Sequence, residues 1–163
     1  MEDQASFRTE ERVLSVIPNA TLKGGFMGMS SKAGTLVLTE RRVIFAHTTS
    51  QMTRQLVADA RDGAKADGKG FLGQWGAQLG AYGAFAQRYL EMDPDVTLAE
   101  SSENVAIEST AIRKAQLKVG VDDQNGAPGT DKLIVKTDAD KTVWTLGSGA
   151  GQAKQALIAA GLI

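Results

Sequence analysis

The chain has 163 residues, of which 42% are hydrophobic and 23% are charged, so it is long enough and apolar enough to bury one hydrophobic core. Its 18 basic and 19 acidic residues give a net charge of −1, which excludes the basic excess that drives phosphate-backbone binding, and we expect no nucleic acid partner. The absence of cysteine excludes disulfides, thiolate metal sites and cysteine nucleophiles, and the single histidine, His47, excludes a histidine-rich metal site within one chain.

The N-terminal segment and the longest apolar runs predict where the protein is found. Residues 1–13 are acidic and polar, which is the opposite of a secretory signal. No uncharged apolar run reaches the roughly 18–20 residues that a membrane-spanning helix needs. The sequence therefore predicts a soluble cytoplasmic protein.

The first predicted element is a helix over residues 9–18. Thr9 can cap its start, Glu10 and Glu11 suit the positive end of a helix dipole, and Pro18 marks its end.

A β-hairpin follows in the stretch GTLVLTERRVIFAHTT, residues 34–49. Apolar residues alternate with others on both sides of a short turn at residues 39–41: Leu36, Leu38, Val43 and Phe45. This alternation predicts two antiparallel strands with one buried face.

Apolar residues recur with a helical period from about residue 50 to residue 92. Met52, Leu56 and Ala60 recur every fourth position and predict a helix over 50–62 that breaks in the glycine-containing segment 62–70. A second helix is predicted over 69–92. Asp93 and Pro94 end it and begin one more helical turn.

Strand patterns return in the last third of the chain. Short strands are predicted over 103–109 and 112–121, and a hairpin over 132–147 turns at residues 138–140. The chain closes with an amphipathic helix whose inward residues are Ala153, Ala156, Leu157 and Ala160. The sum is an α+β, mainly β, chain of six or seven antiparallel strands. We predict a single domain over 1–163 with a helical hairpin inserted at about 50–92.

No motif that would indicate catalysis is complete in this sequence. Residues 63–70, GAKADGKG, come close to a phosphate-binding loop, but Gly70 stands where the magnesium-binding hydroxyl is required and the preceding segment is predicted as helix rather than strand. His47 has no serine or acid in a recognisable nucleophile motif. We expect no enzymatic activity, no cofactor and no metal.

The predicted helix 69–92 carries two adjacent stripes. One is small (Gly73, Gly76, Gly80, Gly83) and the other is apolar and includes Phe71, Trp75, Leu79 and Tyr82. Each interior glycine costs roughly 0.5–1 kcal/mol relative to alanine, so this helix needs close contacts to persist. Three interpretations remain open: packing on the sheet as core, a surface for self-association or a protein partner, and an interfacial membrane helix.

Basic residues near the first hairpin form a second candidate surface. Lys23, Lys32, Arg41 and Arg42 could line an anion-binding lip that meets an acidic lipid surface or a phosphorylated partner.

The hairpin sequence GTLVLTERRVIFAH resembles the hairpin of GRAM domains and of bacterial pleckstrin-homology-like domains. The resemblance is carried by Gly34, Leu36, Leu38, Thr39, Arg42, Val43, Ile44 and Phe45. Residues 103–163 resemble the later strands and capping helix of the same domains. The resemblance implies a bent β-sandwich or barrel whose open end is closed by the C-terminal helix. The basic-x-Arg triplet of phosphoinositide-binding members is missing after Lys23 and Lys32.

These observations predict a non-catalytic binding module. The first hypothesis is protein–protein interaction or self-association, as a homo-oligomer, through the glycine and aromatic helix. The alternative is a peripheral membrane domain that binds anionic lipid through the basic first hairpin and the Trp75 face.

Overall fold

The computed structural model describes residues 11–23, 30–66, 85–121, 124–125, 129–147 and 150–163. Within these ranges the chain forms seven strands, all of whose pairings are antiparallel. The prediction of a mainly β chain with six or seven antiparallel strands is therefore confirmed. The predicted glycine and aromatic stripes of the inserted helix lie outside the described residues.

The first described element is a strand, β1 (Val13–Leu22), so the predicted helix over 9–18 is wrong where the structure describes it. Ile17 is buried in the core, while Val13 and Val16 pack against a second apolar cluster on the other side of the sheet. Because both faces of β1 are covered, its apolar residues do not alternate with polar ones. Their spacing therefore resembles that of a helix. Pro18 is accommodated at an irregularity of the strand, where Asn19 has a φ of 56°.

The hairpin predicted around residue 40 is confirmed as β2 (Lys32–Thr39) and β3 (Arg42–His47). Its turn is held by the hydroxyl of Thr39, which accepts hydrogen bonds from the backbone amides of Arg41 (3.2 Å) and Arg42 (3.0 Å). A side chain at Gly34 would place its Cβ 2.3 Å from the carbonyl oxygen of Ala46, which explains the glycine at this position.

The hairpin has two buried faces rather than the predicted one. The inward residues Leu36, Leu38, Val43 and Phe45 belong to the main core, but Val37, Ile44 and Ala46 on the opposite face are also fully buried. They are covered by the segment that precedes β4, through Tyr89 and the partly buried Phe85 and Leu98.

Helical structure follows the hairpin of β2 and β3, as predicted. Helix α1 (Ser50–Ala66) begins after Thr49, whose hydroxyl accepts a hydrogen bond from the Met52 amide at 3.2 Å. It continues four residues beyond its predicted end at residue 62. The chain is again helical at residues 85–87 and in the 3-10 turn Arg88–Leu90, and the predicted extra turn is α2 (Pro94–Ala99), with Asp93 as its cap.

The remaining elements match the predicted order. They are β4 (Val105–Glu108), β5 (Ile112–Lys118), β6 (Asp131–Thr137), β7 (Lys141–Leu146) and α3 (Ala150–Ala159). The strand order in the sheet is β4-β3-β2-β1-β7-β6-β5. Helix α3 contacts β1, and the predicted inward residues Ala153, Ala156 and Leu157 are buried in the main core.

Candidate interaction surfaces

The end of the inserted helical segment packs on the sheet. Tyr89 and Ala86 are fully buried, and the Tyr89 ring meets the Phe85 ring edge-on, with 5.9 Å between ring centres. The predicted interaction residues Phe71, Trp75, Leu79, Tyr82, Gly73, Gly76, Gly80 and Gly83 all lie outside the described residues. Core packing therefore holds for Ala86 and Tyr89, whereas the packing of the glycine and apolar stripes stays a prediction.

On the solvent side, contacts of Arg88 and Glu100 hold residues 85–90 in place. The Arg88 guanidinium lies over the Phe85 ring, with 4.2 Å to its centre, and forms an ion pair with Glu100. Glu100 also accepts a hydrogen bond from the Tyr89 hydroxyl at 3.1 Å. Burial raises the pKa of Tyr89 above its ordinary value.

The four basic residues predicted as an anion-binding lip do not lie together. Leu22 pairs with Lys32, so Lys23 and Lys32 are close to each other at the start of β2. Arg41 and Arg42 lie beyond the other end of this strand, which spans Lys32–Thr39. A strand of that length separates them from Lys23 and Lys32 by roughly 20–25 Å. The structure thus divides the four into two separate pairs.

Arg42 is engaged as a structural clamp. Its guanidinium, with a side chain 13% exposed, binds Glu11 at 2.9 Å and Asp95 at 2.6 Å. Burial lowers the pKa of Arg42, but the hydrogen bonds to Asp95 and Glu11 outweigh that effect and leave its pKa above the ordinary value. The Thr39 hydroxyl also contacts Glu11. This cluster joins the chain before β1, the β2–β3 turn and α2.

His47 and Lys32 share one carboxylate. His47 Nε2 lies 3.1 Å and Lys32 Nζ 3.4 Å from the oxygens of Glu103. The other ring nitrogen of His47 lies 3.1 Å from the carbonyl oxygen of Ala33. The arrangement ties β2 and β3 to the loop before β4, and within the described residues it shows no nucleophile.

The cavities among the described residues include two that border these clusters. One, of about 380 Å³, lies between the start of β1 and residues 90–94. The other, of about 200 Å³, is lined by Asn19, Thr35, Thr48, Thr53 and Phe85 among others. In the part of the chain that the structure describes, no three acidic or histidine side chains are grouped to hold a metal ion.

A surface that the sequence analysis did not identify lies on the outer face of β5, β6 and β7. Because Leu133, Val135 and Trp144 point into the core, the residues that alternate with them face outward. Lys136 on β6 pairs across the sheet with Lys114 on β5 and with Lys141 on β7. Three lysines therefore lie side by side across three strands.

A second row of lysines crosses the same face. Lys118 on β5 pairs with Lys132 on β6. Between the two rows lie Ile134 and Val143, which pair with each other. Lys23, whose amide donates a hydrogen bond to the Val143 carbonyl, adds a sixth lysine at the end of β1. We call the outward surface formed by Lys23, Lys114, Lys118, Lys132, Lys136 and Lys141 the lysine face.

The lysine face has no carboxylate partner among the described residues. Among ion pairs between described residues, none within 4.0 Å involves any of its six amino groups. The carboxylates on the same strands and turn have other partners. Asp138 binds Arg113, Asp131 accepts from the Gly120 amide, and Asp140 accepts from the Lys141 amide.

Comparisons with known proteins identify no family. No family model and no curated protein matches the chain. Among solved structures, the crystal structure of the C-terminal domain of an unknown protein from Leishmania infantum is similar over 95% of this chain and 88% of that one, at 15% identity and a TM-score of 0.47. No helix in the described ranges is long and apolar enough to cross a bilayer.

Proposed function

We propose that this chain is a non-catalytic, pleckstrin-homology-like binding module that docks on an anionic partner through the lysine face. The fold part of the proposal is supported by the seven antiparallel strands followed by a helix that packs on β1, which is the arrangement that the resemblance of residues 34–47 implies. The binding part rests on the two rows of lysines.

The lysine rows carry the proposal because they oppose folding. Like charges directly opposite each other on neighbouring strands destabilise a sheet, and this face has three such pairs. A carboxylate in contact with these amino groups would offset the repulsion, yet no described carboxylate lies within 4.0 Å of them. An arrangement that costs stability and that the described part of the fold does not compensate is typical of a functional surface.

An anionic partner would convert this cost into binding free energy. Each lysine brought close to an anionic surface contributes about 1 kcal/mol at physiological ionic strength. Six lysines on one face therefore supply several kcal/mol. The attraction of an anionic partner is confined to the lysine face. The whole chain has a net charge of −1, so the residues outside this face are net acidic.

Two hypotheses from the sequence are not tested by the described residues and stand beside the proposed docking through the lysine face. Self-association through the glycine and aromatic helix concerns residues outside the described ranges. Membrane contact through the first hairpin retains Lys23, which belongs to the lysine face, whereas Arg42 has both of its carboxylate partners within the fold.

Replacing Lys114, Lys136 and Lys141 together with glutamine is expected to weaken binding of a fluorescent heparin oligosaccharide by about a hundredfold, since three contributions of about 1 kcal/mol are lost. Anisotropy titration at low salt measures the affinity. Wild-type affinity should fall steeply as salt rises.

A matched control removes the same number of charges elsewhere. Arg54, Arg61 and Lys154 are exposed and lie on α1 and α3. Their triple glutamine variant should bind heparin as the wild type does. An equal loss in both triple variants would show attraction by net charge alone and would contradict a dedicated lysine face.

A further inference from the structure

The cavity of about 200 Å³ lies on the outer side of the sheet, between β1, β2 and the start of α1. Thr35 lines it from β2, on the same side of the strand as Val37, which belongs to the second apolar cluster. Phe85, which packs against that cluster, lines another side. The cavity therefore lies beside the segment that covers β2 and β3 and outside the main core.

The lining of this cavity is polar but uncharged. Its polar side chains come from β1, from β2 and from the start of the helical segment after β3: Asn19, Thr35, Thr48 and Thr53. Two small residues of β2, Ala33 and Gly34, complete the lining together with Phe85. None of these described residues carries a charge.

The four polar side chains have no hydrogen-bond partner within the described chain. The backbone amides of Thr48 and Thr53 donate to carbonyl oxygens at 2.9 Å, but their hydroxyls have no partner among the described residues. The same holds for the Asn19 carboxamide and for the hydroxyl of Thr35, although Thr35 is only 3% exposed. Buried polar side chains normally have a hydrogen-bond partner, so we expect a molecule inside the cavity to supply it.

The backbone around the cavity is held in place by hydrogen bonds. Asn19 has a φ of 56°, a left-handed conformation that asparagine tolerates better than most residues, and its carbonyl oxygen accepts a 2.8 Å hydrogen bond from the Gly147 amide. The Ala33 carbonyl oxygen accepts from the Thr48 amide at 2.9 Å and lies 3.1 Å from His47 Nδ1. Because these bonds fix the chain on three sides, the polar side chains are in position before a ligand arrives.

We infer that this cavity binds a small neutral polyol of monosaccharide size. A hydroxyl both donates and accepts hydrogen bonds, and so does a carboxamide, so the four side chains match the mixed donors and acceptors of a sugar. The lining has no charge that could compensate a carboxylate, a phosphate or an ammonium group, whose desolvation would then oppose binding. Phe85 and the small residues of β2 offer apolar surface to the C–H groups of the ligand.

The volume of the cavity limits the ligand to one small molecule. Liquid water occupies about 30 Å³ per molecule, so the cavity has room for about six waters or for one sugar in their place. A ligand that displaces ordered water loses affinity unless it reproduces the hydrogen bonds of that water, which sugar hydroxyls can do. Binding of a sugar here does not depend on docking through the lysine face, none of whose residues lines the cavity.

The test follows the backbone amide signals of Thr48 and Thr53 by heteronuclear NMR while D-glucose or D-ribose is added to the full chain. We expect at least one of the two sugars to shift both signals saturably, with the millimolar affinity that is open to so small a neutral ligand. The charged counterparts are D-glucuronate and D-ribose 5-phosphate. The counterpart of the sugar that binds should bind at least tenfold more weakly, because its charge finds no partner in the lining.

Thr35→Val keeps the shape of the side chain and removes only its hydroxyl. This variant should bind the sugar about five- to tenfold more weakly, which corresponds to the loss of one hydrogen bond. Its midpoint of urea unfolding should be no lower than that of the wild type, because the hydroxyl has no partner within the described chain. Thr97→Val is the matched control: the Thr97 hydroxyl is also buried without a partner, but it lies on α2 and does not line the cavity. The control should bind the sugar as the wild type does.

Each part of the inference has an outcome that overturns it. If neither neutral sugar shifts the two amide signals saturably, the cavity holds water only and sugar binding is overturned. Equal affinity for a neutral sugar and for its charged counterpart overturns the neutral class of ligand. Wild-type sugar affinity of Thr35→Val, or an equal loss of affinity in Thr97→Val, overturns the placement of the sugar in this cavity.

Discussion

Replacing Tyr89 with alanine is expected to lower the free energy of unfolding by about 3–4 kcal/mol, which is the usual cost of removing a buried aromatic ring. The Tyr89 side chain is fully buried against the outer face of β2 and β3, where it packs with Val37, Ile44 and Ala46. Its removal leaves a cavity there and deprives Glu100 of a hydrogen-bond donor. Urea unfolding followed by far-UV circular dichroism measures the loss.

Tyr89→Phe is the matched control, because it keeps the ring and removes only the hydroxyl. We expect a loss of about 1 kcal/mol at neutral pH. Because burial raises the pKa of Tyr89 above 10.0 in the folded chain, the unfolded chain ionises first, and wild-type stability should fall as pH rises above 10.0. The phenylalanine variant should lose less stability over that range. An alanine variant no less stable than the phenylalanine variant would contradict packing of this segment on the sheet.

The second large effect is expected at Arg42. Substitution by methionine should cost about 3 kcal/mol, because it leaves the Glu11 carboxylate, with a side chain 12% exposed, without its cation. Binding of heparin should be unchanged, since Arg42 does not belong to the lysine face. Urea unfolding and anisotropy titration measure the two quantities on the same protein.

A double variant separates the unpaired charge from general damage at this site. Glu11→Gln combined with Arg42→Met removes both charges, so its loss should be smaller than the sum of the two single losses. Losses that add fully would show that the ion pair contributes nothing. Weakened heparin binding by Arg42→Met would restore the first hairpin as the anion-binding surface.

The hairpin of β2 and β3 could be predicted from the sequence because its determinants are local. Leu36, Leu38, Val43 and Phe45 alternate in the segment itself, and Thr39 supplies the hydroxyl that holds the turn. The β6–β7 hairpin and α3 could be predicted for the same reason. β1 could not, because the cover on its second face comes from residues 85–98, which are distant along the chain.

The lysine face could be predicted only in part. The predicted hairpin over 132–147, with its turn at residues 138–140, already brings Lys136 and Lys141 onto neighbouring strands beside the turn, but their direct pairing is seen only in the structure. The pairing of Lys136 with Lys114 depends on the register between β5 and β6, which are joined by a long loop, and no local pattern fixes it. The net charge of −1 conceals six lysines gathered on one face.

The most direct test of the lysine face is the heparin affinity of Lys136→Glu. Glutamate at this position would lie between Lys114 and Lys141, so the variant should be more stable than the wild type by about 0.5–1 kcal/mol at low salt, which excludes unfolding as a cause of lost binding. Lys154→Glu on α3 is the control with the same change in charge. We predict that Lys136→Glu binds the heparin oligosaccharide at least tenfold more weakly than Lys154→Glu, since reversing this one charge changes the charge of the face by two units of about 1 kcal/mol each. Equal affinity of the two variants would contradict the account.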